Sequence, residues 1–278
     1  MATFPLVEAA QRCEGVGAVT STSRGTACTA NASANTKATS FTQLIASTAF
    51  HATGILVMLD DCAATIDYLI DIAVGASSSE VVILSNLLAS GGTGSLVYGM
   101  HYFFPVNIPA GTRISARIQA STGSSVIRIS GLLFSGGMLA PETLAIVTPY
   151  GPATADSGAV SIDPGGSANT KPATFTTIAA STSFHTQFLS FAIGNQLNAT
   201  RSSQSWLMDI AIGAAGSEVV ILPNIALNCS TSPDIVVPQS INMLPVNIPA
   251  GTRLSARAQS DGIDATDRLF DLALYGVT

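Results

Sequence analysis

The feature that most constrains this chain is that it contains the same domain twice. Four sequence blocks occur in both halves in the same order: Ser33–Lys37 and Ser167–Lys171, Asp71–Gly75 and Asp209–Gly213, Ser79–Leu84 and Ser217–Leu222, Pro105–Arg117 and Pro245–Arg257. The offset between copies grows from 134 residues at Ser33 and Ser167 to 140 residues at Pro105 and Pro245, so short insertions fall between the blocks. Loops vary in length more readily than strands do. The pattern predicts a duplicated domain of about 110 residues, not a solenoid of short repeats.

The repeats divide the chain into four predicted segments. Residues 1–30 have no recognisable second copy and are predicted to form an N-terminal arm. The repeats themselves are placed at 31–135 and 167–278. Residues 136–166 are rich in Gly and Pro, which favours a linker between them.

Within each repeat the apolar residues alternate as they do in strands. Ile114, Ala116 and Ile118 alternate with polar or charged residues, and a period of two is typical of a half-buried strand. Turn sequences at 90–94 and 109–111 separate further short apolar runs. Seven or eight short strands in about 110 residues, with no helical pattern, predict an all-β fold. We expect two tandem antiparallel β-sandwich domains of the jelly-roll type.

The composition excludes two classes of partner. Only 10% of the 278 residues are charged, and 32 Ser and 28 Thr supply the polar surface instead. The net charge is −6 and Lys and Arg do not cluster, so a nucleic-acid partner is not expected. No apolar run approaches the roughly 18 residues that a membrane span requires, so no membrane partner is expected either.

Six repeated charged residues are the candidate site. Two carboxylates interrupt apolar strands, and four arginines line outer strand faces: Asp71, Asp209, Arg113, Arg117, Arg253 and Arg257. Cross-strand carboxylate–guanidinium pairs would fix strand register and the choice of assembly partner. The alternative interpretation of the same residues is a ligand site.

Other residues give no catalytic, cofactor or metal signature. His51 and His185 are copies of one position after a Phe, which favours packing at a strand end. Glycosidases need two carboxylates at a defined separation, and Asp60–Asp61 is the tightest acidic pair. The acidic run from Asp261 to Asp267 lacks the terminal Glu of a calcium loop. We therefore expect no catalytic residue, no cofactor and no metal, and a protein that is not an enzyme.

Cysteine and tryptophan point to buried structural roles. The four cysteines, Cys13, Cys28, Cys62 and Cys229, lack metal-like spacing. Free thiols are favoured, and disulfide pairing stays open. Trp206 is the only tryptophan, and burial against the sheet is the expected outcome for a side chain of this kind.

The repeated blocks Asp71–Gly75, Ser79–Leu84 and Pro105–Arg117, with their second copies, resemble a domain of tailed-bacteriophage structural proteins. The resemblance covers both repeats and leaves out residues 1–30. It implies a fold and a particle context, because its motifs are turns and strands without catalytic residues. Families of this kind are similar to capsid decoration (cement) proteins and to tail- or fibre-associated modules.

The leading hypothesis from the sequence is a capsid decoration protein that bridges coat subunits on the particle exterior. Its expected partner is the major capsid protein, together with further copies of itself in a homo-oligomer such as a trimer. Its expected location is the virion, assembled in a bacterial host cytoplasm. The alternative is a tail, neck or fibre component that binds a host surface glycan. A glycan-degrading enzyme is a third and weaker hypothesis.

Overall fold

The computed structural model describes residues 12–63, 65–91, 100–135, 146–195, 205–228, 238–262 and 269–278. These residues form nineteen strands and no helix. The strands of the first half are β1 (Arg12–Val16), β2 (Ala18–Val19), β3 (Arg24–Thr29), β4 (Thr42–Ile45), β5 (Gly54–Asp60), β6 (Asp67–Val74), β7 (Val81–Ser90), β8 (Met100–Phe104), β9 (Ile114–Ala120) and β10 (Val126–Ser135). Those of the second half are β11 (Val147–Tyr150), β12 (Val160–Ile162), β13 (Thr176–Ala179), β14 (Thr186–Asn195), β15 (Ser205–Ile212), β16 (Val219–Asn228), β17 (Gln239–Ile248), β18 (Leu254–Ser260) and β19 (Phe270–Val277).

Each half of the chain folds into two facing antiparallel sheets. In the first half, one sheet has the order β2-β3-β10-β5-β8 with β1 beside β10, and the other has the order β4-β9-β6-β7. In the second half, β11-β19-β14-β17 with β12 beside β19 faces β13-β18-β15-β16. We call the halves sandwich 1 and sandwich 2. The predicted all-β fold with two sandwich domains is confirmed.

The alternation in the sequence decides which side chains enter the cores. In β10, Ile127, Ile129 and Leu133 are fully buried, whereas Arg128 and Ser130 between them are half-buried. Side chains of successive strand residues point to opposite faces, so one face of the sheet supplies the core. The equivalent strand β19 buries both faces, because its outer face packs against sandwich 1.

Two segments that the sequence analysis placed outside the repeats lie in the sheets, and this corrects the predicted arm and linker. β1 and β3, within residues 1–30, pair with β10, and β11 and β12, within residues 136–166, pair with β19. The strand pairing is the same in both halves. Cys28 pairs with Ile127 in the first half, and Ile162, which lies 134 residues after Cys28, pairs with Phe270 in the second. We therefore propose that the two domains begin near residues 12 and 146. Residues 1–11 lie outside the described part of the chain.

The sandwiches share an apolar interface. The outer face of β19 carries Ala273, Tyr275 and Val277, and these side chains belong to the same buried cluster as the core of sandwich 1. The Tyr275 ring lies edge-on to Tyr102, with ring centroids 5.6 Å apart. Its hydroxyl accepts a hydrogen bond from the Leu88 N–H at 2.8 Å and donates one to the Asn86 carbonyl at 3.1 Å.

Candidate functional site

The first candidate residue, Asp71, is the centre of a buried ion cluster on β6. Its side chain is only 4% exposed. Lys37 Nζ lies 2.8 Å from Oδ1, and Arg117 Nε lies 2.9 Å from Oδ2. Asp71 and Arg117 are directly opposed on β6 and β9, so strand register brings them together. Buried carboxylates are tolerated when they are paired and hydrogen-bonded, and Asp71 meets both conditions.

Sandwich 2 repeats this cluster around Asp209. Lys171 Nζ lies 2.5 Å from Oδ1 and Arg257 Nε lies 3.1 Å from Oδ2. Burial raises the pKa of Asp209, but the hydrogen bonds from Lys171, the Asn224 N–H and Arg257 outweigh it and leave the pKa below its ordinary value. In sandwich 1, burial lowers the pKa of Lys37, opposed by the Asp71 charge.

A backbone group that the sequence analysis missed completes each cluster. The N–H of Asn86 donates to Asp71 Oδ1 at 3.0 Å, and that of Asn224 donates to Asp209 Oδ1 at 3.0 Å. Both asparagines have positive φ, 53° and 54°, where the register of the strand pair shifts. Asn adopts this conformation more readily than most residues. The occurrence of Asn at the same position of both repeats was therefore the sequence signal that could have indicated this bulge.

Aromatic rings cover the two arginines of the clusters. The guanidinium carbon of Arg117 lies 4.7 Å from the centre of the Phe41 ring, and that of Arg257 lies 4.4 Å from Phe175. Guanidinium groups stack favourably on aromatic faces. Each of these arginines therefore has both a salt bridge to the aspartate and a contact with an aromatic ring.

The remaining two candidates, Arg113 and Arg253, lie apart from the clusters. Arg113 pairs with Glu80 at 2.8 Å, and Arg253 pairs with Glu218 at 2.9 Å. For Glu80, desolvation raises the pKa, but its backbone hydrogen bonds and Arg113 bring it below the ordinary value. The structure thus joins Asp71 to Arg117 and Asp209 to Arg257, while Arg113 and Arg253 contact glutamates that the sequence analysis did not select.

The other polar residues considered from the sequence also have partners within the fold. His185 Nε2 lies 2.6 Å from Asn247 Oδ1, and His51 makes the equivalent contact with Asn107. Asp61 Oδ2 pairs with both Arg24 and Arg128, at 3.1 and 2.9 Å.

Three of the four cysteines lie in the described part of the chain. Cys13, Cys28 and Cys62 are free thiols there, while Cys229 lies outside that part of the chain. Burial raises the pKa of Cys28 to about 11. Within the same residues, no group of three His, Cys, Asp or Glu side chains is placed to hold a metal ion. The described residues include no helical segment that could span a membrane. Of the acidic run at 261–267, only Asp261 and Gly262 are described.

A separate cavity opens beside Trp206 in sandwich 2. It has a volume of about 180 Å³, and its polar lining includes Asn169, Gln259 and Asp261. Trp206 itself is 4% exposed and packs edge-on against Phe270, so its predicted burial is confirmed. An indole wall with amide and carboxylate groups around it can bind either a small polar molecule or a polar loop of a protein.

Known proteins of similar shape are found among solved structures. No protein-family model and no curated protein matches the chain. Among solved structures, PNGase F, a glycosylasparaginase from Flavobacterium meningosepticum, superposes with a TM-score of 0.41 at 11% identity, covering 96% of this chain and 95% of that one. The STIV MCP superposes with a TM-score of 0.34 at 10% identity, covering 96% of each chain. The cowpea mosaic virus top component gives 0.32 at 9% identity, covering 96% of this chain and 88% of that one.

These similarities correct one prediction. The sequence predicts a protein that is not an enzyme, yet the structures of similar shape include an enzyme alongside viral capsid proteins. A fold that both classes share excludes neither of them. The expectation is therefore not retained, and at these identities the similarity describes shape alone.

Proposed function

We propose that this protein is a structural component of a virus particle and acts as a capsid decoration protein. It would bind the particle exterior, bridge neighbouring copies of the major capsid protein and hold them together. The bacteriophage context comes from the resemblance of the repeated strand and turn blocks. Assembly would then take place in the cytoplasm of a bacterial host.

The observation that supports this proposal is that the repeated charged residues pair inside each sandwich and leave small neutral residues on the exposed turns. The six candidate residues all pair within their own sandwich, with side-chain exposures from 4% for Asp71 to 32% for Arg117. The exposed turns instead present small neutral residues, such as Ser77–Ser79 in sandwich 1 and Ala214–Ser217 in sandwich 2. Small side chains lose little conformational entropy when a surface is covered, which favours dense and lasting assembly.

A second candidate function is a tail, neck or fibre component that binds a host surface glycan. The cavity beside Trp206 favours it, because Asn169, Gln259 and Asp261 offer the amide and carboxylate groups that bind sugar hydroxyls. The two functions require different numbers of chains on each particle. A decoration protein covers the whole capsid lattice, whereas a tail or fibre component occupies a few symmetric positions.

The test is the copy number of this chain in purified particles, measured by gel densitometry against the major capsid protein. Hundreds of copies are expected, and adding the purified chain to particles that lack it should raise their temperature of disruption. An unrelated β-sandwich protein of similar mass is the control for nonspecific stabilisation. About three to twelve copies per particle would contradict decoration and support the tail or fibre alternative.

A further inference from the structure

The contact between the two sandwiches includes a loop that docks on a polar site. The loop between β11 and β12 presents Ser157, which is fully buried. Ser157 Oγ accepts a hydrogen bond from Gln119 Nε2 at 3.0 Å and donates one to Asn35 Oδ1 at 2.8 Å. Gln119 Nε2 also donates to the Thr154 carbonyl at 3.0 Å. The docking site belongs to sandwich 1, and the loop that fills it belongs to sandwich 2.

Sandwich 2 has an equivalent site, but within the described ranges no loop of the chain is docked in it. Asn169 and Gln259 occupy the positions of Asn35 and Gln119, and both line the cavity beside Trp206. The N–H of Asn169 bonds to the Ser260 carbonyl at 2.7 Å, as that of Asn35 bonds to the Ala120 carbonyl at 2.8 Å. Asn169 is exposed and Gln259 is half-buried, whereas Gln119 is 2% exposed.

The apolar surface beside the site shows the same contrast. On β7, Leu87 and Leu88 are fully buried. On β16 the equivalent residues are Ile225, which is half-buried, and Ala226, which is exposed. Part of the difference is that Tyr275 of sandwich 2 packs on β7. As far as the described residues show, the surface that is covered on sandwich 1 is open on sandwich 2.

Sandwich 1 in turn carries an exposed copy of the docking loop. Residues 17–25 correspond to residues 151–159 without a gap, and Gly17, Thr20 and Ser23 are identical to Gly151, Thr154 and Ser157. Both serines have positive φ, 54° at Ser23 and 68° at Ser157, so the two loops share an unusual backbone conformation. Ser23 and Thr20 are exposed.

We propose that the open site of sandwich 2, formed by Asn169, Gln259 and Ala226, binds the 17–25 loop of a second copy of this chain. The contact between molecules would then copy the contact within each molecule. This inference rests on the internal repeat and goes beyond the particle role proposed above. The loop and the site are different surfaces, so the contact is heterologous and builds a ring or a filament, as the rotation between sandwiches dictates.

The substitutions between the repeats fit this pairing in size. Within the chain, a Cβ atom added at Gly194 would lie 3.0 Å from Leu88 Cδ2. The large Leu88 side chain therefore packs against a residue that has no side chain. In the proposed contact, Ala226 takes the place of Leu88, and Asp60 of the second copy takes the place of Gly194. A small residue would then pack against a larger one. The loop also gains Arg24 in place of Gly158, and the site gains Asp261 in place of Ser121. The loop and the site therefore carry opposite charges, which favours their association.

The experiment measures the mass of the intact protein in solution by light scattering and analytical ultracentrifugation. The wild-type chain, 28.3 kDa as a monomer, is expected to self-associate as its concentration rises. Ala226→Arg places a bulky charge in the open site, and Thr20→Arg places one on the loop. Each is expected to weaken self-association at least about tenfold. Ala250→Arg is the matched control and should associate like the wild type, because Ala250 is exposed in the turn before β18, whereas Gln259 lies near the other end of that strand.

Mixing the two variants separates this contact from a symmetric one. Ala226→Arg keeps an intact loop and Thr20→Arg keeps an intact site, so an equal mixture should form dimers and stop there. A mixture that stays monomeric, or a wild-type chain that stays monomeric up to about 1 mM, would overturn the proposal. Wild-type association that Ala226→Arg and Thr20→Arg leave unchanged would overturn it too. Binding of soluble oligosaccharide in the cavity by a wild-type chain that does not associate would assign the site to a glycan instead.

Discussion

At the scale of single residues, the stability of each sandwich depends on one buried carboxylate. Removing it leaves a lysine, an arginine and a backbone N–H without their shared partner. Asp71→Ala is expected to lower the free energy of unfolding by about 3–5 kcal/mol, because an uncompensated charge stays in a poorly solvated site. Urea unfolding followed by circular dichroism measures the change.

Asp61 provides the matched control, because it also pairs with two cations but its side chain is 43% exposed. Asp61→Ala is expected to change the unfolding free energy by no more than about 1 kcal/mol. Replacing the whole buried cluster, with Lys37→Met, Asp71→Leu and Arg117→Met together, should cost less than Asp71→Ala alone. Equal losses for Asp71→Ala and Asp61→Ala would contradict the assignment of Asp71 as a buried structural centre.

Asp271 on β19 makes the stability depend on pH. Burial raises its pKa to about 7, with a further contribution from Asp156, although the Ala159 N–H donates to Oδ2 at 2.9 Å. Between the unfolded pKa of about 4 and the folded value, the folded chain binds more protons than the unfolded chain. The contribution of Asp271 to stability is therefore full below about pH 4 and is lost as the pH rises through about 7.

Asp271→Asn removes this titration and keeps an oxygen that can accept from the Ala159 N–H. The variant is expected to be more stable than the wild type at pH 8, by an order of 1–4 kcal/mol, and similar to it near pH 4. Thermal unfolding across this range measures both. A variant whose stability follows the wild type at every pH would show that Asp271 does not titrate in this way.

At the scale of elements, the first three strands are part of sandwich 1. Val16 and Cys28 from β1 and β3 are at most 2% exposed and belong to its core. Deleting residues 1–30 is expected to expose the edge of β10 and open this core, and so to lower the unfolding free energy by several kcal/mol. Deleting residues 1–11 leaves every described strand in place and serves as the control. Equal stability of the two truncated chains would show that β1–β3 are dispensable.

The sequence predicts strands better than it predicts the domain edges. The predicted strands Gly54–Leu59 and Val126–Phe134 are observed as Gly54–Asp60 and Val126–Ser135, because their apolar alternation directly reflects burial. Only three of the nineteen residues from 12 to 30 are identical to their counterparts at 146–164. These strands also differ in their surroundings, since β19 of sandwich 2 buries its outer face against sandwich 1, whereas Arg128 and Ser130 on the same face of β10 are half-buried. Their constant offset of 134 residues was the remaining signal.

The sequence predicts only part of the candidate site. Asp71 and Asp209 interrupt apolar strands, and a charge inside a core requires a partner, for which the arginines on the outer strand faces were the candidates. The contributions of Lys37, Phe41 and Asn86 depend on a loop and a register shift that bring distant segments together. Sequence spacing carries no information on those contacts.

At the scale of the whole molecule, the aromatic contact around Tyr275 couples the sandwiches. Its ring lies against Tyr102 and Phe104, and its hydroxyl satisfies the buried Leu88 N–H. Trp206 is the only tryptophan and lies in sandwich 2, so its fluorescence reports that half alone while circular dichroism reports both. In the wild-type chain the two probes should give the same unfolding midpoint, because a shared apolar interface makes the halves unfold together.

Tyr275→Ala is expected to separate the two probes, since it removes the ring between the sandwiches and leaves the Leu88 N–H unsatisfied, at a cost of several kcal/mol. Tyr150→Phe is the control: Tyr150 is 6% exposed, and its hydroxyl contacts Ser183 within sandwich 2. It should shift both midpoints equally. Coincident midpoints in Tyr275→Ala would mean that the wider apolar face, rather than this tyrosine, holds the halves together. The equivalent of Tyr275 in sandwich 1 is Leu132, which has no hydroxyl. The proposed contact between two molecules should therefore be weaker than the contact between the two sandwiches of one molecule.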